Sequence, residues 1–147
     1  MKPINSNQLS REYVITQKRL DILSWDYVIE HGKNLIDGEL WWDQDYGYYI
    51  CDCEGVYFTG LLYRVYNNLS LNYYSFYEDG VENGITIWFY PSGEVKGYGV
   101  YSKGKLTEIY YEWYENGMIK EYIDFNRNQR LEFDENGNII KQGKAKR

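Results

Sequence analysis

The stretch Ile85-Thr86-Ile87-Trp88-Phe89-Tyr90-Pro91-Ser92-Gly93, continued by Glu94 to Tyr101 and closed by Ser102-Lys103-Gly104, decides the fold. Its first six residues are β-branched or aromatic and read as a strand. Pro91 sets φ and Gly93 permits positive φ, so the chain turns there. Glu94 to Tyr101 form the return strand, and Ser102-Lys103-Gly104 turn into whatever follows. This is a β-hairpin with a connector.

The same unit recurs on either side at an interval of 24 residues. Gly60, Gly84 and Glu108 form one column; Val65, Phe89 and Trp113 a second; Tyr66, Tyr90 and Tyr114 a third. Leu71/Val95/Ile119, Tyr74/Tyr98/Tyr122, Tyr77/Tyr101/Phe125 and Gly80/Gly104/Asn128 follow. A fourth, shorter copy comes 20 residues on, where Phe133 answers Trp113 and Glu135-Asn136-Gly137 answers Glu115-Asn116-Gly117. Asn-Gly is the favoured pair of a type I′ turn, so these two turns are expected to be of that type. Connectors this short forbid crossovers, so consecutive hairpins must pair in order. The expected fold is all-β, a single antiparallel twisted sheet of sequential hairpins spanning residues 35–140.

Period-two alternation assigns the faces. Leu61, Tyr63, Val65, then Ile85, Ile87, Phe89, then Ile109, Tyr111, Trp113 make the expected core face. The other face carries Leu62, Arg64, Tyr66, then Thr86, Trp88, Tyr90, then Tyr110, Glu112, Tyr114. It mixes aromatic rings with charge, as binding surfaces do.

Residues 1–34 lie outside the repeat and form a less regular segment. Glu12 to Thr16 could be a strand. Arg19 to Glu30 could be a strand or a short helix, because Leu20, Leu23 and Tyr27 fit helical spacing. Leu35 to Gly60 read as degenerate strands, and Lys141 to Arg147 as a frayed basic tail.

Composition narrows the function. The chain has 147 residues, one domain with room for a core, and 44 % apolar content. Aromatic content is 19 %, with 18 Tyr and five Trp, which favours strands. No apolar run is long enough to cross a membrane, and Met1 to Ser6 lack the apolar centre of a signal peptide, so a cytoplasmic protein is expected. Net charge is −6. Residues 1–34 carry five basic and four acidic groups, and residues 141–147 carry four basic groups. Residues 35–140 carry seven basic and 18 acidic groups, a body of −11. That balance argues against nucleic acid and suits a basic partner.

Chemistry finds little foothold. Cys51 and Cys53 are one residue apart, so a bridge would be strained and both are expected as thiols. His31 is the one histidine, in a His-Gly-Lys turn, so neither a metal site nor a cofactor is expected. Nucleophile motifs and phosphate loops are missing. The acid pairs Glu78/Asp79 and Asp43/Asp45 read as turn and surface acids, and the protein is not expected to be an enzyme.

The repeat, as it stands in Gly84…Phe89-Tyr90-Pro91-Ser92-Gly93…Val95…Tyr101…Gly104 and in Glu108…Trp113-Tyr114-Glu115-Asn116-Gly117…Ile119…Phe125, resembles the MORN-repeat-variant family of bacterial antitoxin and immunity proteins. Trp42-Asp43-Gln44-Asp45-Tyr46…Gly55-Val56-Tyr57-Phe58-Thr59-Gly60 and Phe133-Asp134-Glu135-Asn136-Gly137-Asn138-Ile139 look like the first and last segments of such chains. The resemblance covers residues 40–140. The chain departs from it at Leu69, where a turn glycine belongs, and at Glu108 and Asn128. It implies an immunity protein or antitoxin that blocks a cognate toxin; the acidic body makes a nuclease or other basic effector the expected target. The expected partner-binding residues are Trp88, Tyr90, Tyr110, Glu112 and Tyr114, with Glu78, Asp79 and Glu82 at an adjoining turn. The alternatives are a structural scaffold or membrane-associated repeat module, and a carbohydrate-binding module built from Tyr and Trp.

Overall fold

Sequential hairpins build the molecule. The structure, a computed structural model, describes residues 4–35, 40–43, 49–52 and 54–145. Two short helices come first, α1 (Arg11–Gln17) and α2 (Trp25–His31). Strands β1 (Lys33–Asn34), β2 (Trp41–Asp43) and β3 (Tyr49–Cys51) follow. The repeats supply β4 (Gly60–Val65), β5 (Leu71–Glu78), β6 (Val81–Phe89), β7 (Val95–Ser102), β8 (Lys105–Trp113) and β9 (Ile119–Asp124). The shorter last copy gives β10 (Gln129–Phe133) and β11 (Ile139–Gly143).

Strands β4 to β11 pair antiparallel in chain order, and β1 adds a ninth, parallel strand beside β4. The sheet is open. β2 and β3 pair separately as a small second sheet. Lys141, Gln142 and Gly143 belong to β11 rather than to a tail. Asp45 and Cys53 lie outside the described residues, whereas Cys51 is buried in β3.

The face bearing Leu62 and Thr86 is not all half-exposed as expected: Leu62 is buried there with Leu40, Ile50 and Tyr77 in a second cluster, and Thr86 is buried against Ser75. The expected core face holds the larger core. Leu61, Tyr63, Ile87, Phe89, Tyr111 and Trp113 are buried in one cluster, with Val65, Ile85 and Ile109 packed against it. What covers that face is the N-terminal arm. Leu9, Val14 and Val28 are buried in the same cluster, and Ile4, Ile15, Leu20, Ile22, Leu23 and Ile29 pack on it. The arm is also held by polar contacts. Trp113 Nε1 donates to the Leu9 carbonyl at 2.7 Å, and Leu23 N to Tyr74 Oη at 3.0 Å. Arg11 donates to the carbonyls of Val95, Tyr114 and Glu115 and meets Glu94 at 3.3 Å.

One local expectation is corrected, and one open choice is decided in favour of the helix. Glu12 to Thr16 are helical, within α1, and the ambiguous stretch after Arg19 is a helix over Trp25–His31. Both helices start on a serine whose hydroxyl accepts an amide of the first turn: Ser10 from Tyr13 and Ser24 from Tyr27. Each puts one fully buried valine onto the sheet.

The turn types are also exchanged. Only Gly117 and Gly137 of the Asn-Gly pairs have positive φ, so these are not type I′ turns. Tyr114 N bonds the Met118 carbonyl and Gly117 N the Tyr114 carbonyl, which makes a three-residue loop ending in a left-handed residue. The loops at 66–70, 90–94 and 134–138 share that pattern. The two-residue type I′ turns are at the opposite edge, Asp79-Gly80 and Lys103-Gly104, where both residues have positive φ.

Candidate interaction surface

One row crosses the outer face of the sheet from β4 to β11. Its members are paired strand to strand: Arg64, Tyr73, Trp88, Gly97, Glu112, Glu121, Glu132, Lys141. Arg64, Trp88 and Glu112 are the repeat column whose chemistry differs in each unit, and the hairpin register lines them up. The row grades from a cation and aromatics to three successive carboxylates.

Glycine shapes its middle. A Cβ on Gly97 would sit 3.2 Å from Trp88 Cε3, and one on Gly99 would sit 2.8 Å from Leu106 Cδ2 and 3.4 Å from Tyr110 Cδ2. The bare strand β7 is therefore a trough, and flanking side chains lie down in it. Trp88 and Tyr110 meet edge to face there at 5.9 Å. Both are half-buried. Gly97 and Gly99, at alternate positions of one strand, are the sequence signal of such close approach.

The carboxylates are engaged. Glu112 accepts from Tyr110 Oη at 2.9 Å and meets Lys120 at 3.2 Å. Glu121 meets Arg130 at 3.0 Å, and Glu132 meets Lys141 at 3.9 Å. Glu112 faces Glu121, and Glu121 faces Glu132, directly across the strands. Like charges so placed repel, and the neighbouring cations offset this. Burial, then the Glu112 charge, pushes the Tyr110 hydroxyl well above its ordinary range.

Tyr90 and Tyr114 have another role. Tyr66 Oη donates to the Phe89 carbonyl at 2.5 Å, Tyr90 Oη to Trp113 at 2.6 Å and Tyr114 Oη to Phe133 at 2.7 Å. The column clamps each repeat to the next. Lys96 and Lys120 lie over the Tyr90 and Tyr114 rings at 5.8 and 5.7 Å.

Glu78 and Asp79 stand apart from Trp88. They form the type I′ edge, about 20 Å along β6 by strand rise. Glu78 accepts from Asn83 Nδ2 at 2.8 Å, and Asp79 N donates to Thr59 Oγ1 at 2.9 Å. A shallow cavity of about 390 Å³ there is lined by Tyr49, Glu78, Asp79, Val81, Asn83 and Lys103. Glu82 lies between the two regions, half-buried, 3.5 Å from Tyr77 Oη and from Thr86 Oγ1. Burial raises its pKa above the ordinary carboxyl value. The face thus brings Trp88, Tyr110 and Glu112 together and leaves Glu78 and Asp79 at a separate edge.

A second cavity of about 340 Å³ opens on the core face beside the connection between α1 and α2, lined by Lys18, Leu20, Tyr98, Val100, Glu108, Ile109, Tyr111 and Asn126. Among the described residues no group of His, Cys, Asp and Glu could hold a metal ion. No helix among them is long and apolar enough to cross a membrane.

No protein-family model, curated protein or solved structure matches this chain.

Proposed function

We propose that this protein is an immunity protein or antitoxin that binds one basic toxin, such as a nuclease, and blocks its active or docking surface. The observation that carries the reading is the outer row from Arg64 to Lys141. It is a half-exposed part of the repeat whose side chains vary from unit to unit, set in register across eight strands. Core columns recur because each core contact recurs; a varied row is where recognition can be written. Trp88 supplies a large ring, and the Glu112–Glu121–Glu132 series offers acceptors that a partner's Arg or Lys could share with Lys120 and Arg130. The resemblance to MORN-repeat-variant antitoxins and the −11 body point the same way.

The test is co-expression with the product of the neighbouring gene, with cell survival and complex formation as readouts. Wild type should protect. Trp88→Ala should fold and bind at least about tenfold more weakly, the loss of roughly 1.4 kcal/mol. Protection by neither protein, with no complex, sinks the reading.

A scaffold remains the second reading, favoured by one observation. All five residues of β11 are exposed at the sheet's last edge, Ile140 at 65 %. An open edge can extend a sheet. Concentration-dependent assembly, or co-sedimentation with anionic vesicles, would support it over toxin binding.

A further inference from the structure

We infer that the three-residue-turn edge of the sheet, anchored by Trp25 and Leu69, is a second docking surface for the basic partner protein. This rests on the toxin-binding reading and adds a site to it. Leu69 has φ 69°, where the equivalent turn residues are Gly93, Gly117 and Gly137 with φ of 88° to 93°. A branched side chain in that conformation is strained against its own backbone. The strain gives no packing in return, since Leu69 is 67 % exposed. Strain kept without internal benefit points outward.

Trp25 stands beside it. Its Nε1 donates to the Leu69 carbonyl at 3.0 Å, which fixes the indole while 48 % of the residue stays exposed. A pre-oriented indole beside an exposed leucine is the make-up of an interface anchor. The turns along this edge are tied to each other: Asn68 Nδ2 donates to the Pro91 carbonyl at 3.1 Å and Asn116 Nδ2 to Glu135 at 3.3 Å. Three of the four turns are acidic, and the Leu69 turn is uncharged. Residues 66–70, 90–94, 114–118 and 134–138 hold Glu94, Glu115, Asp134 and Glu135 and neither Lys nor Arg. Asp26 adds a carboxylate next to Trp25. Arg11, which meets Glu94 from beneath, is largely buried. A partner fitting this edge has an apolar socket with Lys and Arg around it.

The test uses full-length protein and the neighbouring gene's product, with binding read by calorimetry and stability by urea unfolding. Leu69→Gly keeps the carbonyl that holds Trp25 and relieves the strain. It should raise the unfolding midpoint and weaken binding at least fivefold. Trp25→Ala should weaken binding at least tenfold. A purely structural Leu69 would instead lower the midpoint when replaced. If wild type binds and both variants bind as tightly, the edge is not an interface and only this inference falls. If wild type itself fails to bind, the toxin-binding reading falls and takes this site with it.

Discussion

Removing a tyrosine hydroxyl should stabilise this protein at one position and destabilise it at another. Tyr111 is 2 % exposed, and its hydroxyl has no hydrogen-bond partner among the described residues. Taking an unpaired hydroxyl out of water costs about 1–3 kcal/mol. Tyr111→Phe removes that cost and forfeits only the contacts of one oxygen atom, so a net gain on the order of 1 kcal/mol is expected. Tyr90 is the control. Its hydroxyl reaches the Trp113 carbonyl at 2.6 Å from a half-buried site. Tyr90→Phe should cost about 0.5–1.5 kcal/mol, and Tyr66→Phe and Tyr114→Phe the same. Urea unfolding of the four variants measures this, provided the slope stays constant so that midpoint shifts are stability shifts. A Tyr111→Phe variant less stable than wild type by about 1 kcal/mol or more would refute the reasoning, as would a costless Tyr90→Phe.

Glu108 has φ 58° inside a strand, where Gly84 holds the matching place with φ 121°. Glu108→Gly should raise stability by about 1 kcal/mol, measured by the same titration. Phe89→Ala opens a cavity in the buried cluster and should cost about 3–5 kcal/mol, so a cost under about 1 kcal/mol would mean that residue is not core. Burial pushes Tyr74, Tyr111 and Tyr122 up to about 12 from an ordinary 10.0. The folded state holds these protons more tightly than the unfolded chain, so their contribution is complete below about pH 10 and falls away as pH rises through about 12. Fluorescence-monitored unfolding should show stability dropping over that window, and a flat profile there would contradict the burial.

The strands were legible because each repeat presents the same period-two pattern, and Ile87, Phe89, Tyr111 and Trp113 repeat their burial as they repeat their spacing. The helices were not. Each spans only seven residues, under two turns, so helical periodicity has too few terms to show against noise. Ser10 and Ser24 were the usable signals, as caps ahead of apolar residues. The Asn-Gly turns misled because that pair's preference belongs to two-residue loops, and these loops are one residue longer. At the surface, the unvarying Tyr66, Tyr90 and Tyr114 column was itself a sign of an internal role. Placing its acceptor needed the phase of the next hairpin, which puts each hydroxyl against the last residue of the matching strand in the next unit, Phe89, Trp113 or Phe133. Trp25 and Leu69 are 44 residues apart, and no pattern in the chain links them.

The arm that closes the core also sets an order of events during synthesis. Each repeat strand finds its neighbour within one hairpin of sequence, so the sheet can assemble from contacts of short range. The arm cannot. Leu9 waits for the indole of Trp113, and Arg11 for the carbonyls of Tyr114 and Glu115, more than a hundred residues later. A segment made early therefore has its seat built only after about a hundred further residues. In the interval Leu9, Val14 and the part of the sheet face they will cover are open to water, whereas α2 finds its seat as soon as β4 forms. A nascent chain stalled before Trp113 presents those apolar surfaces to chaperones and proteases, so ribosome-bound intermediates of this protein are vulnerable until the third repeat emerges.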